Sequence, residues 1–195
     1  MNYQSNIEKY YDNTEADKPR KNVKYFTEIE PNTGKAIELG CGAGNDTVYL
    51  IKNNWNVLAI DREDVQERIS KRLNTEEQKK FRFQKQNFEE IKLEKANLIV
   101  ANFSLPFCHK NKFNELWNKI KENILPNGYF VGNFFGVKDE WKLNKTDMTF
   151  LTKEDIRKLF DEFEMIRFKE IEKDGKTGLG KMKHWHIYNV IAKKK

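Results

Sequence analysis

Residues 36–45 read Ala-Ile-Glu-Leu-Gly-Cys-Gly-Ala-Gly-Asn. An apolar run leads into glycines at 40, 42 and 44, and a helical pattern follows to about Asn53. Glycine is required where a turn takes dihedrals that side chains resist and where a ligand must lie against bare backbone. A strand, a glycine turn and a helix in that order make half of a nucleotide-binding βαβ unit. The other half is present: residues 57–60 read as a second buried strand ending at Asp61, 21 residues after Gly40. A carboxylate there can accept hydrogen bonds from both hydroxyls of a ribose.

The spacing separates two cofactor classes. Dinucleotide enzymes use G-x-G-x-x-G, whereas this loop is G-x-G-x-G, with Asn45 where the third dinucleotide glycine would stand. Glu38, two residues before the first glycine, suits a cationic ligand carrying an amino acid better than a pyrophosphate. A nicotinamide-dependent oxidoreductase is therefore disfavoured.

The same alternation runs through the rest of the chain. Strands are expected at 35–39, 57–60, 81–84, 96–101 and 129–135, with a helix at about 63–73. Phe113, Leu116, Trp117, Ile120 and Ile124 recur at helical spacing, and Pro126-Asn127-Gly128 ends that helix. Thr152 opens another helix with Asp155 three residues on, and Ile156, Leu159, Phe160 and Phe163 form its apolar stripe. Two last strands, 165–171 and 184–191, are joined by a loop at 172–183. With no helix between them, the last strand must run antiparallel. The expected fold is α/β: one domain with a mainly parallel seven-stranded sheet, helices on both faces and an antiparallel last strand. The whole of 1–195 forms it, 1–30 as a helical lid and 31–195 as the catalytic core.

These residues resemble class I S-adenosylmethionine-dependent methyltransferases, whose Rossmann-like sheet has this strand order. The resemblance covers about Tyr10 to Lys193. Tyr10-Tyr11, Lys18-Pro19-Arg20 and the ending Val190-Ile191-Ala192-Lys193 are similar to the small bacterial subgroup that includes the tellurite-resistance methyltransferase. It implies S-adenosyl-L-methionine as cofactor, with Glu38, Gly40, Cys41, Gly42 and Asn45 around its methionine part. Asp61 would hold the ribose, with Arg62 beside the adenine and Asn87 and Phe88 on the adenine edge and face. Asn102 and Phe103 would lie near the cofactor, and Tyr11 and Arg20 in a lid over it.

In open α/β sheets ligands bind beyond the carboxyl ends of the strands. That end carries 101–109, 132–136, Trp141 and His184-Trp185-His186. Alternation puts His184 and His186 on one face and Trp185 on the other. The two histidines are expected to orient the acceptor or remove its proton, with Arg20 as an anion partner. No third ligand is spaced to make them a metal site. Phe103, Phe107, Phe134 and Trp141 are the aromatics available to face a sulfonium. Residues 102–107, Asn-Phe-Ser-Leu-Pro-Phe, are not the Asn/Asp-Pro-Pro-aromatic motif of amino-group methyltransferases.

Charge bears on the partner. The net charge is +6 and the pI about 9.1, with seven Lys or Arg between Arg68 and Lys85. The signs are interspersed and no nucleic-acid module accompanies them, so a small-molecule acceptor (thiol, chalcogen oxyanion, amine or hydroxyl) is preferred over RNA or protein. An inactive S-adenosylmethionine-binding protein is a further alternative. Two cysteines, a polar N-terminus and no long apolar run suit a cytoplasmic protein off the membrane, monomeric or homodimeric.

Overall fold

Strand β1 (Lys35–Leu39) is buried from Ala36 to Leu39 because it takes a partner on each side. A computed structural model describes residues 3–195, with side chains from residue 6 onward. Around β1 lie β2 (Asn56–Asp61), β3 (Phe81–Lys85), β4 (Ala96–Ala101), β5 (Ile124–Gly136), β6 (Phe150–Leu151), β7 (Phe163–Lys176) and β8 (Met182–Lys194). The sheet order is β3-β2-β1-β4-β5-β8-β7, with β6 paired to β5 off that path. Pairing is parallel except where β8 meets β5 and β7. The expected seven strands and antiparallel last strand are present, and the two-residue β6 is an addition.

Helices cover both faces, as right-handed crossovers between parallel strands require. They are α1 (Tyr3–Thr14), α2 (Lys21–Ile29), α3 (Asn45–Lys52), α4 (Gln66–Ser70), α5 (Thr75–Gln78), α6 (Phe113–Asn123) and α7 (Lys153–Leu159). One buried cluster joins Val23, Phe26, Val48 and Trp55 to Val100, Val131 and Ile191. The other, across the sheet, joins Trp117, Phe130, Phe134 and Phe160 to Tyr188 and Val190. Alternation along β5 and β8 therefore decides what each side chain meets.

Helix α6 buries Phe113, Leu116, Trp117 and Ile120, as its periodicity predicts. It ends at Asn123, where Lys194 Nζ donates to the carbonyls of Lys121 (2.6 Å) and Ile124 (3.0 Å), so Ile124 opens the next strand. The Thr152–Asp155 capping box forms as read: Thr152 Oγ1 accepts from Asp155 N at 3.1 Å, and Thr152 N donates to Asp155 Oδ2 at 2.9 Å. Thr152→Ala is expected to cost ~0.5–2 kcal/mol, measured as a shift in the urea midpoint at unchanged slope.

Other expectations change: α7 ends at Leu159, so Phe163, expected on its stripe, opens β7, and Pro126-Asn127-Gly128, expected as the stop of α6, lies within β5. The region 63–73 holds only the short α4, followed by turns. The expected loop 172–183 is mostly strand: Glu172↔His186 and Lys173↔Trp185 continue the ladder, leaving 177–181 as the turn. This end of β7 is charged and largely exposed, so no apolar alternation announced it.

Candidate functional site

The turn after β1 runs left-handed three times, with φ of +68° at Gly40, +54° at Gly42 and +76° at Gly44. Space is as restrictive as conformation at Gly44, where an added Cβ would lie 2.3 Å from Ile69 Cγ1. The turn is tied to β2 by Gly40 N and Cys41 N, which donate to the Ile60 carbonyl at 2.8 and 3.1 Å. Gly42 N donates to Asp61 Oδ2 at 2.8 Å. The carboxylate at the end of β2 and the backbone of the turn thus form one unit.

Besides Asp61, two more buried carboxylates border this unit: Glu38 and Asp46. Glu38 accepts from the Thr47 hydroxyl. Asp46 accepts from Arg20 N (2.7 Å) and Asn102 Nδ2 (2.8 Å). Burial, then the neighbouring Asp46, pushes the Glu38 carboxyl well above the usual range; burial also raises Asp46. The Cys41 thiol is raised by burial and by Glu38 and Asp61. Two polar atoms beside the turn, Asn102 Oδ1 and Ser104 Oγ, are buried without a partner. Buried polar groups are normally satisfied. Crowded acids, orphaned polar atoms and bare glycine backbone together suit a ligand with hydroxyl groups and positive charge.

Helix α1 closes over the turn. Tyr11 is 9% exposed, and its ring lies 3.7 Å from where a Gly42 Cβ would be. Its hydroxyl reaches Asp61 Oδ1 at 3.4 Å, and burial followed by the Asp61 charge raises its pKa. Asn45 donates to the Thr14 carbonyl (2.7 Å) and accepts from Arg72 (2.9 Å), so it fastens lid to turn. Arg68 holds the lid through Asp12 and Glu15, and Asn13 bonds the Gly178 carbonyl in the β7–β8 turn at 3.1 Å. Arg20 follows α1, and its guanidinium lies 4.7 Å above the Phe103 ring.

Phe103 has a φ of +52°, a conformation uncommon for a bulky residue and worth ~1–3 kcal/mol of strain. Asn133 secures it, accepting from Phe103 N at 2.9 Å. Phe103 opens an aromatic wall: Trp185 and Phe135 lie 5.9 and 6.1 Å from it, and Phe107 and Trp141 each lie about 6 Å from Phe135. Phe134, expected in this set, faces the opposite cluster with Trp117, and Phe135 takes its place by strand alternation. The wall encloses Lys183, whose side chain is 2% exposed and paired with the fully buried Asp139. Lys183 Nζ is 3.9 Å from the ring centres of both Trp141 and Trp185. Desolvation lowers its pKa, with Asp139 acting against that.

The structure does not turn His184 and His186 toward this wall. They occupy the β8 face that carries Tyr188, opposite Lys183 and Trp185. Both His186 ring nitrogens are engaged: Nδ1 accepts from Lys138 N at 3.2 Å, and Nε2 meets Glu170 at 2.9 Å. His184 sits between Asp174 (2.8 Å) and Glu172 (3.5 Å). Both side chains bond within the hairpin and to the segment after β5, away from the aromatic wall where the acceptor-orienting role was expected of them. The hydrogen bond to Asp174 raises the His184 pKa above 6.5. A raised cation contributes stability that is complete below the unfolded value and fades as pH rises through the folded one. An NMR titration is expected to find the His184 midpoint above 6.5 and to lower it on Asp174→Asn.

Phe88 does reach the turn, its Cζ 3.6 Å from the position of a Gly40 Cβ. Asn87 is exposed just before it, and Arg62 is half-exposed with Glu63 3.7 Å away. Asp46 escaped the sequence reading; its place one residue after Asn45, at a helix start, was the available signal. Among the described residues no cluster of three His, Cys, Asp or Glu is arranged for a metal, and no helix is long and apolar enough to cross a membrane. Within the basic stretch, Arg68 ties down the lid and Arg72 bonds the Ala43 carbonyl, while Lys71, Lys79 and Arg82 form exposed pairs with Glu67, Glu76 and Glu94.

Comparison with known proteins places this geometry. The sequence matches the family described as "Tellurite resistance protein TehB" over residues 3–178. TehB from Haemophilus influenzae superposes with a TM-score of 0.74 at 17% identity, over 90% of this chain and 62% of that one. The 1,6-didemethyltoxoflavin-N1-methyltransferase of Burkholderia thailandensis, solved with 1,6-didemethyltoxoflavin and S-adenosylhomocysteine, gives 0.72 at 16% identity, over 99% and 84% of the two chains. These likenesses establish a Rossmann-like methyltransferase fold. Carboxy-S-adenosyl-L-methionine synthase of Colwellia psychrerythraea is 27% identical over 112 residues, 54% of this chain and 45% of that protein. The chain thus spans under half of that curated relative and under two thirds of Haemophilus TehB.

Proposed function

The chain belongs to the tellurite resistance protein TehB family, and on that premise we propose that it is an S-adenosylmethionine-dependent methyltransferase acting on a small-molecule acceptor. The observation that carries the reading is the glycine turn joined to Asp61 and bordered by the orphaned Asn102 Oδ1 and Ser104 Oγ. The relatives support the cofactor class: the Burkholderia enzyme was solved with S-adenosylhomocysteine, and the Colwellia protein is named for an S-adenosylmethionine derivative.

The residues fit that cofactor. Asp61 would accept from the ribose hydroxyls, giving up Tyr11. The acids Glu38 and Asp46, with Asn102, would face the ammonium of the methionine part. Gly40, Cys41 and Gly42 would offer backbone, Phe88 an apolar face for the adenine, and Asn87 and Arg62 its rim. Phe103 would stand beside the sulfonium, where an aromatic ring stabilises positive charge by ~0.5–2 kcal/mol. Asn45 contributes by fixing the lid rather than by contact.

Bound there, the sulfonium supplies an electrophilic methyl group. The chain's part is then to position a nucleophile and exclude water, which in favourable intramolecular systems is worth up to ~7–11 kcal/mol. Helix α1 and Arg20 close one side, and the Phe103–Trp185 wall bounds the other. With His184 and His186 turned away, these elements position a nucleophile that arrives ready to react.

The test is transfer of labelled methyl from S-adenosylmethionine to a panel of thiols, chalcogen oxyanions, amines and phenols. The reading predicts a labelled low-mass product and S-adenosylhomocysteine in equal amounts. Transfer to tRNA instead, weakening steeply with salt, would contradict it.

A further inference from the structure

The acceptor wall carries more information than its position. Phe107, 50% exposed, and the half-buried Trp141 and Trp185 present ring surface where the carboxyl ends of β4 and β5 meet the amino end of the antiparallel β8. A large aromatic half exposed at a ligand-binding edge is an unusual use of apolar area unless something covers it. Ring edges and faces prefer another ring, at centroid separations of ~4.5–7 Å, over an aliphatic chain.

Three cations stand against the rings of the wall, faced by Asp139 and Glu140 at Lys183 and by Asp46 at Arg20. Arg20 lies over Phe103, and Lys145 Nζ is 4.9 Å from the centre of Trp141. Lys183 takes a position against both Trp141 and Trp185 at 3.9 Å, with Asp139 neutralising it beneath the wall. Cations already hold the quadrupole sites that an ammonium acceptor would need. An incoming ammonium would meet Arg20 and Lys145 as like charges, whereas an anion would be drawn to both.

Resting on the methyltransferase reading above, we infer that the acceptor is an anion carried on an aromatic ring, its ring against Phe107, Trp141 and Trp185 and its charge toward Arg20. For an arenethiolate the step balances without a base: the sulfur lone pair forms a new S–C bond as the sulfonium S–C bond breaks. The products are a neutral aryl methyl thioether and S-adenosylhomocysteine. The proton is already in solvent, which suits a site whose histidines point elsewhere.

The test uses the full chain with benzenethiolate, ethanethiolate and benzylamine, alongside calorimetry with S-adenosylhomocysteine. Benzenethiolate is expected to quench tryptophan fluorescence and to show a KM, counted per thiolate, about tenfold below that of ethanethiolate, the scale of one ring–ring contact. Benzylamine should show neither binding nor turnover. Phe107→Ala, with its fold checked by circular dichroism and S-adenosylhomocysteine binding, should raise the KM for benzenethiolate several-fold more than that for ethanethiolate. S-adenosylhomocysteine binding together with equal KM values, with benzylamine turnover, or with an unmoved Phe107→Ala KM would overturn the inference and leave the function standing. Absence of S-adenosylhomocysteine binding would overturn both.

Discussion

Asp61→Ala is expected to weaken S-adenosylhomocysteine binding by at least about 100-fold while leaving the far-ultraviolet circular dichroism unchanged. Asp61 receives Gly42 N at 2.8 Å and Glu63 N at 3.1 Å, and would receive the ribose hydroxyls as well. Hydrogen bonds to a charged group contribute ~1.5–3 kcal/mol each, so losing two accounts for ~100-fold or more. The sheet persists because β2 is held by β1 and β3 along its length, not by this side chain. Calorimetry with purified wild type and variant reads the effect directly. Binding within a few-fold of wild type would mean that the carboxylate only braces the turn.

Asp139→Ala is expected to lower the melting temperature by about 6–20 °C. Asp139 is wholly buried and neutralises Lys183. It also receives Trp141 N at 3.1 Å and His186 N at 3.2 Å, joining the segment after β5 to β8. Removing one member of a buried pair leaves an uncompensated charge, at ~3–5 kcal/mol, and a chain of this length loses ~2–4 °C per kcal/mol. Asp139→Asn with Lys183→Met removes both charges at similar volume and should recover most of the loss. If the double variant melts as low as Asp139→Ala, the backbone bonds rather than the buried charge dominate.

Chemistry that depends on residue order along one strand was legible in the sequence. The glycine turn, Asp61, the succession of strands and helices along the chain and the Thr152–Asp155 box each follow from local spacing. Facing across the sheet was harder. Alternation separated His184 and His186 from Trp185, but which set meets the ligand depends on which face α1 and α2 cover, a tertiary fact. The same cause moved Phe134 into the core and brought Phe135 to the wall. The hairpin extension past Ile171 was illegible because its pairs are charged, and ladder hydrogen bonds leave no hydropathy trace. Asn45 shows a further limit: its position beside the turn was readable, but its use as a lid fastener needed the Thr14 carbonyl, 31 residues away.

The most direct measurement is a crystal structure with S-adenosylhomocysteine soaked into the full chain. It should find both ribose hydroxyls on the Asp61 carboxylate, the Tyr11 hydroxyl displaced, and the homocysteine amine within reach of Glu38, Asp46 or Asn102. A nucleoside bound elsewhere, or a turn still sealed by Tyr11 at saturating ligand, would contradict the account.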